Sequence, residues 1–249
     1  MVEGEGLIFE ASEFIFKVPP AISRARRVLI KPCASYPVPY PVTTSRNMLA
    51  VIIDSIRRGS DADILLLEGT PGGGPVSPIY RALGYDFPRV LTIDVKDCTW
   101  VEVDNPLPKP LVMPTFWVPN VILSCDYLIT VTPPKVFNGG GSLSIMNLLT
   151  LLPSSKYRGE ASGGWGELYD LGIEKVVADL YFTLPFDLGI IEARQKLVST
   201  DDPTQGKIEE CGKVFIGEPY EVDCEASATL GLKAEHLDLI KAAKVELEA

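Results

Sequence analysis

Three loops rich in glycine, proline and hydroxyl groups contain side chains whose types and spacing suit an anion. In the stretch VTPPKVFNGGGSLSIMN, Lys135 is followed by a glycine run, a candidate helix cap and an amide, at Gly139, Gly140, Ser142 and Asn147. Consecutive glycines let backbone N–H groups converge on a ligand, and the amino end of a helix carries partial positive charge. The pattern predicts an anion cradle between Lys135 and a helix that Ser142 caps.

The other two loops follow strand-like runs as well. RVLIK ends at Lys31 and opens into a long proline-bound loop that leads to Thr43 and Thr44, and DILLLEG opens into a loop containing Gly72 and Gly73. Ligands of open parallel sheets bind at the carboxyl ends of the strands, and loops this long are usually functional. We therefore expect the three loops to line one cleft that holds a small anionic or phosphorylated ligand.

Two interpretations of these glycine runs stay open, an anion site and a flexible surface turn. Neither G-x-x-x-x-G-K-[ST] nor G-x-G-x-x-G occurs, so neither nucleotide-binding fingerprint applies. Each run taken alone suits a flexible surface turn. The two runs together, beside Lys31 and Lys135, support an anion site and a flexible turn equally well.

Acidic residues near later strand or helix ends complete the set of candidate catalytic groups. We predict catalytic roles for Lys135, Asp179 and Asp223, although a solvated surface position is the alternative for each carboxylate. Carboxylate oxygens also suit Mg²⁺ or Ca²⁺. The chain has one histidine, His236, which we expect at the surface or as a helix cap, and it has no G-x-S-x-G. These features argue strongly against a Ser–His–Asp hydrolase.

The cysteines indicate thiols rather than a metal centre. They are odd in number, widely scattered and without a C-x-x-C pair, at Cys33, Cys98, Cys125, Cys211 and Cys224. We expect neither zinc nor an iron–sulfur cluster from this chain. Free thiols are typical of a reducing compartment, and MVEGEGLIFE lacks the features of a signal peptide, so we predict a cytoplasmic protein.

Charge and hydropathy argue against nucleic acid and membranes as partners. The 249 residues include 23 basic and 33 acidic ones, a net charge of −10, which argues against a general electrostatic grip on nucleic acid or an anionic membrane. No apolar run approaches the length that spans a bilayer. The composition is compatible with a homodimer.

Alternation of short apolar runs with helical patterns predicts the fold class. VLI, ILLL and YLITV are continuous apolar runs, as in strands buried on both faces. Strands are predicted at 7–11, 14–18, 27–32, 62–69, 89–94, 125–131, 186–193 and 211–217. Helices are predicted after Thr44 or Ser45 as N-cap, at 77–84, as a buried apolar helix at 142–152, at 166–182 and near the C-terminus. We expect a single α/β domain over 1–249 whose mostly parallel sheet has helices on both faces, doubly wound and Rossmann-like, with a small β-rich extension near 105–119.

Several stretches in a fixed order resemble the domain-of-unknown-function 362 family over about residues 27–232. They are KP, YPVTTS, CDYLITVTPPK, SLSIMNLLTLLPSSKYRG, VADLYFTLPFDLGIIEA and GKVFIGEPYEVDCEASATLGL. The resemblance implies functional roles for the seven residues of this chain that match the family's motifs: Lys31, Thr43, Thr44, Lys135, Asn147, Asp179 and Asp223. The family's fold also resembles, more distantly, the N-terminal domain of lactate racemases.

This chain departs from the family's pattern at polar positions. Where relatives show P-K-L-K-T-H, it has Phe137, Asn138 and Gly139, and it has Met146 and Cys33 in place of a lysine and an asparagine. Two function classes therefore stay open. The first is an enzyme or enzyme-like protein that binds an anionic ligand at the carboxyl edge of the sheet. The alternative is a non-catalytic binding or partner protein that has lost the family's active-site residues.

Overall fold

The computed structural model describes residues 7–159 and 164–248. The first six residues, on which the expectation of no signal peptide depends, lie outside these ranges. The strands are β1 (Leu7–Glu10), β2 (Arg27–Pro32), β3 (Asp63–Glu68), β4 (Val90–Asp94), β5 (Trp100–Asp104), β6 (Thr115–Pro119), β7 (Tyr127–Thr132), β8 (Lys135–Phe137), β9 (Gly140–Ser142), β10 (Leu188–Ile191), β11 (Gln195–Ser199), β12 (Lys207–Glu210) and β13 (Lys213–Gly217). The α-helices are α1 (Arg46–Gly59), α2 (Ser77–Leu83), α3 (Asn120–Leu123), α4 (Gly166–Asp170), α5 (Ile173–Thr183), α6 (Pro219–Leu230) and α7 (Glu235–Glu248). Short 3₁₀ helices cover Pro20–Arg24, Val95–Asp97, Met146–Leu151 and Ser154–Lys156.

A large, mostly parallel sheet forms the centre of the molecule, as predicted. Its order is β1-β13-β10-β7-β2-β3-β4, in which β10, β7, β2, β3 and β4 are parallel. From β2 the chain adds β3 and β4 on one side and then returns to place β7 on the other side. The direction of chain progress therefore reverses between β2 and β7.

Alternate side chains of the central strands pack into two apolar layers. Val28 and Ile30 of β2 belong to one layer with residues of α1 and α2. Leu29 points into the other layer, where it meets the 146–151 segment and residues of α5. Strands covered on both faces need apolar residues at consecutive positions, which explains the uninterrupted runs.

Two smaller sheets complete the described structure. One has the order β12-β11-β8-β9, and the other is the β5–β6 hairpin. Of the hairpin, β6 falls within the predicted β-rich extension at 105–119, and β5 precedes that range. The α1 helix begins as predicted at the cap residue Ser45, whose Oγ accepts a hydrogen bond from the N–H of Met48 at 3.0 Å.

Three predicted elements are wrong. The 14–18 segment forms no strand, although Phe16 is buried in the core, and prolines at 19 and 20 end the extended stretch. Residues 142–152 are buried as expected, but Ser142 lies in β9 and the helix is a 3₁₀ turn at Met146–Leu151. The 166–182 helix is divided into α4 and α5 at Gly172, whose φ of 89° an α-helix does not accommodate.

Candidate functional site

The carboxyl edge of the sheet brings the three predicted loops together. Strands β7, β2 and β3 are adjacent and parallel, so the chain leaves them at one edge. The N–H of Ala34 donates to Oε2 of Glu68 at 2.6 Å, and Nζ of Lys135 lies 3.1 Å from Sγ of Cys33. These contacts join each loop to a neighbour. The strand order confirms that the three loops leave one edge of the sheet. The cleft at that edge, described below, is lined by only one of them, the loop after β3, so the expectation that all three line one cleft is not met there.

Lys31 occupies the centre of this edge, but it is fully buried. Its ammonium group donates to the Pro32 carbonyl at 2.8 Å and to Oδ1 of Asn147 at 3.0 Å, and it lies 2.9 Å from Oε1 of Glu68. Burial lowers the pKa of Lys31, and the negative charge of Glu68 opposes that shift. Because an ammonium has three protons, these partners saturate it. The structure places Lys31 in an internal ion pair rather than facing a ligand.

The polar groups of Glu68 and Asn147 also have hydrogen-bond partners inside the protein. The carboxylate of Glu68 also accepts from the N–H of Gly69 at 3.0 Å and from the Thr150 hydroxyl. The amide of Asn147 donates to Oγ1 of Thr130 at 3.0 Å. This closed network ties β2, β3 and β7 to the 146–151 turn. Glu68 was not among the predicted site residues, although a lone charge at the end of the apolar run ILLLE, in a strand next to the one that ends at Lys31, is a recognisable signal.

The predicted threonines shape the loop that follows β2. Oγ1 of Thr44 accepts from the N–H of Cys33 at 2.9 Å and donates to the Val131 carbonyl at 2.7 Å. Oγ1 of Thr43 donates to the Val38 carbonyl at 2.7 Å. Both side chains are buried, so they hold the 33–45 loop in place.

Asp179 lies away from the glycine loops and binds a different loop, the one between β5 and β6. Its carboxylate is fully buried and accepts from the amide of Asn105 at 2.9 Å. The N–H groups of Leu111, Val112 and Met113 also donate to it, at 2.9, 2.8 and 2.8 Å. Four donors on one carboxylate fix the segment between β5 and β6. This geometry gives Asp179 a positioning function and leaves its predicted catalytic role unsupported.

Asp223 is a second buried anchor, on α6. Its two oxygens accept from the N–H groups of Ser144 and Ile145, each at 2.9 Å. Burial raises the pKa of Asp223 to about 6, although those hydrogen bonds and the nearby His236 lower it. His236 is itself fully buried, with Nδ1 2.7 Å from Oε2 of Glu174, so the prediction of a surface position is wrong. Asp223 thus holds the start of the segment that contains Asn147.

The two glycine runs have different roles. Asn138 and Gly139 have φ values of 50° and 80°, and they form the turn of the β8–β9 hairpin. Gly140 and Ser142 are strand residues, so the predicted cradle at a helix start is wrong there. Asn-Gly is the preferred pair for such a turn, because both positions need positive φ. That local signal was present in the sequence.

Gly73 and Gly74 line a cleft of about 60 Å³ at the carboxyl edge, whereas Gly72, also predicted to bind a ligand, is not among its lining residues. A Cβ on Gly73 would lie 2.9 Å from Oγ of Ser154 and 3.4 Å from Nη2 of Arg158. Asp94 and Lys96 lie across the cleft, and Asp94 accepts from the N–H of Val76 and of Lys96 at 2.8 and 3.0 Å. Arg158, Lys96 and Ser154 were not predicted site residues, although SSKYR directly after an apolar run is a recognisable cluster of hydroxyl and basic groups.

A larger cavity of about 480 Å³ opens at the opposite edge, beside the amino ends of β2, β3 and β7. Arg26, Arg27 and Asp126 line it, and Asp126 accepts from the N–H groups of both arginines at 2.8 and 3.0 Å. Its charges are of both signs, and Nη2 of Arg26 lies 3.9 Å from Oδ1 of Asp126. We therefore place the candidate site at the smaller cleft, where the strand ends and basic groups converge.

Metal and membrane features can be assessed for residues 7–159 and 164–248. Within those ranges, no three His, Cys, Asp or Glu side chains lie close enough together to hold a metal ion. Asp179 and Asp223, the predicted positions for Mg²⁺ or Ca²⁺, each bind backbone N–H groups instead. No helix in the same ranges has both the length and the hydropathy that crossing a bilayer requires.

The model of the family described as a domain of unknown function, DUF362, matches residues 28–227. The chain therefore belongs to that family, which confirms the resemblance. Among curated proteins, no relative matches the chain.

A solved structure, the lactate racemase apoprotein from Thermoanaerobacterium thermosaccharolyticum, is similar in fold, with a TM-score of 0.52 and 16% sequence identity. The match covers 84% of this chain and 49% of that chain, so this chain spans about half its length. At this identity the likeness shows the fold alone.

Proposed function

We propose that the chain binds a small anionic ligand, through a phosphate or carboxylate group, in the cleft beside Gly73. The observation that carries the proposal is that the Ser154 hydroxyl and the Arg158 guanidinium lie beside the position that a Cβ on Gly73 would occupy. Glycine backbone, a hydroxyl and a guanidinium are suitable donors for an oxyanion. Lys96 adds a second cation, and the single carboxylate of Asp94 is engaged by N–H donors.

The size of the cleft limits the ligand. One water molecule needs about 10–15 Å³ of such volume. A cleft of about 60 Å³ therefore suits a group of a few non-hydrogen atoms, and it is too small for a whole nucleotide. Lactate is a reasonable probe, because the solved structure of similar fold is a lactate racemase and lactate carries a carboxylate.

Binding without acid–base catalysis by Asp179 or Asp223 is the second candidate function. Both carboxylates are fully buried and already accept backbone N–H groups. The loss of the family's lysine, threonine and histidine at 137–139 points the same way. This alternative keeps the ligand cleft and removes the predicted chemistry.

Several broader features belong to the same proposal. The strand order, with its reversal between β2 and β7, supports a doubly wound, Rossmann-like domain over 1–249. All five cysteines are thiols, which supports a cytoplasmic protein. The net charge of −10 argues against nucleic acid as a partner, and a homodimer is compatible with the proposal.

Titration calorimetry with inorganic phosphate and with lactate, at constant ionic strength, tests the cleft. We expect saturable binding of at least one of them, weakened about tenfold or more in Arg158→Gln, since a hydrogen bond to a charged group contributes about 1.5–3 kcal/mol. Arg24→Gln is the matched control, because Arg24 is exposed at the end of the Pro20–Arg24 turn. No saturable binding at millimolar concentrations, or equal affinity in Arg158→Gln, would refute the proposal.

A further inference from the structure

Cys33 and Lys135 meet where the sheet's chain order reverses. Cys33 directly follows β2, and Lys135 begins β8 shortly after β7 ends at Thr132. Because β2 and β7 are adjacent and parallel, both residues leave the same edge. Nζ of Lys135 lies 3.1 Å from Sγ of Cys33. In open α/β sheets this crevice is where ligands bind.

The other four sulfurs have different surroundings, although all five cysteines are half-buried. Cys98, Cys125 and Cys211 lie 3.3, 3.2 and 3.6 Å from backbone carbonyl oxygens, and Cys224 neighbours the Tyr220 hydroxyl. Cys33 has a carbonyl too, that of Val42, but at 3.8 Å. A carbonyl oxygen repels a developing thiolate, whereas an ammonium stabilises it. Cations lie near three of the other sulfurs as well, Arg27 near Cys125, Lys196 near Cys211 and Lys244 near Cys224. Among the described residues, however, only Cys33 has a lysine ammonium within hydrogen-bond distance of its sulfur.

Burial raises the pKa of each of these four thiols. It raises the pKa of Cys98 and of Cys125 to about 11, and it raises the pKa of Cys211 and of Cys224 as well. The thiolate is the reactive form of cysteine, so these sulfurs are poor nucleophiles near neutral pH.

The position of Lys135 is fixed by its surroundings. Prolines at 133 and 134 stiffen the preceding backbone, and Lys135 pairs with Leu197 of β11 and Ser142 of β9. The neighbouring Lys31 is saturated by oxygen acceptors, so it does not compete for the sulfur. The charge nearest to Sγ of Cys33 is therefore that of Lys135.

We propose that Cys33 and Lys135 form a nucleophilic thiol site that takes a soft electrophile, namely an alkene conjugated to a carbonyl group. The sulfur forms a bond to the β-carbon, and the alkene π electrons move to the α-carbon. The α-carbon then receives one proton from Lys135 or water. Because the thiol has released one proton, the number of protons is unchanged overall. Atoms and electrons balance without an oxidant or a leaving group. This site is separate from the Gly73 cleft and does not depend on an anion binding there.

N-ethylmaleimide is the probe, and mass spectrometry of the five cysteine peptides gives five rates from one sample. We expect Cys33 to react at least about tenfold faster than Cys98 and Cys125. Raising the pKa of a thiol from its ordinary value of 9.0 to about 11, as burial does at Cys98 and Cys125, lowers its thiolate fraction about 100-fold, and the greater basicity of that thiolate restores about tenfold. If Cys33 is not the fastest of the five in the wild-type protein, the proposal is refuted without any variant.

Variants at Lys135 show whether the reactivity of Cys33 depends on the charge of Lys135 or only on the solvent exposure of the thiol. Lys135→Met is expected to slow Cys33 at least about threefold and leave the other four rates unchanged, whereas Lys135→Arg retains most of the rate. Lys109→Met, at an exposed position in the 105–114 loop, is the matched control and leaves all five unchanged. An unchanged Cys33 rate in Lys135→Met would overturn the role of Lys135. Should that variant unfold, all five rates would rise together, and the wild-type ranking and Lys135→Arg still decide the proposal.

Discussion

Lys31 and Lys135 stand at the carboxyl ends of neighbouring strands, yet they have opposite roles. Lys31 is fully buried, and its ammonium group is saturated by Pro32, Glu68 and Asn147. Lys135 is half-buried, and the contact of its ammonium group is a thiol. The comparison teaches that a lysine at a strand end is available for chemistry only when the fold has not already supplied its acceptors.

The largest expected effect separates the two lysines by stability. Lys31→Met should lower the free energy of unfolding by about 3–5 kcal/mol, because it leaves the buried carboxylate of Glu68 without its counter-charge. Lys135→Met should lower it by less than about 1 kcal/mol, since a half-buried side chain contributes less packing. Urea denaturation measures both.

The double variant Lys31→Met/Glu68→Gln is the control for that result. It should recover part of the lost stability, because removing both charges removes the uncompensated one. Equal losses in Lys31→Met and Lys135→Met would contradict the distinction between the two residues.

A second prediction extends the comparison to a buried carboxylate. Burial raises the pKa of Asp223 from 3.8 to about 6. The stability that this group contributes is therefore fully present below about pH 4 and is lost as pH rises through about 6. The loss amounts to about 2–3 kcal/mol, at 1.36 kcal/mol per pKa unit.

Asp223→Asn does not titrate, so the difference in unfolding free energy between wild type and variant should change across this pH range. Measurements at several values between about pH 4 and 7 check this. A constant difference would show that Asp223 does not titrate there.

The smallest expected effect concerns the cleft. Gly73 has a φ of 68°, so Gly73→Ala should cost about 1–2 kcal/mol of stability, and its Cβ would displace Ser154 and Arg158 and weaken phosphate or lactate binding. Gly72→Ala is the matched control, since nothing lies within 4 Å of its added Cβ. Thermal unfolding and calorimetry measure the two effects. Equal behaviour of the two variants would remove Gly73 from the site.

Local patterns were sufficient where a residue's role depends on near neighbours in the chain. The apolar runs VLI, ILLL and YLITV identified three central strands, and the cap residue Ser45 was one of the two predicted cap positions. The turn at Asn138 and Gly139 was also readable, but the glycine run was interpreted as an anion cradle. The family resemblance added the order of these stretches, and the match over 28–227 confirms it.

The sequence by itself therefore determined the strands of the sheet, their mostly parallel arrangement and the shared edge of three loops. The tertiary structure decided which polar groups there are already satisfied. Glu68 reaches Lys31 from 37 positions away and Asn147 reaches it from 116. Such pairings depend on strand order and register, which bring distant residues within hydrogen-bond distance. Periodicity along the chain describes which face a residue occupies, and it does not specify the partner opposite that face.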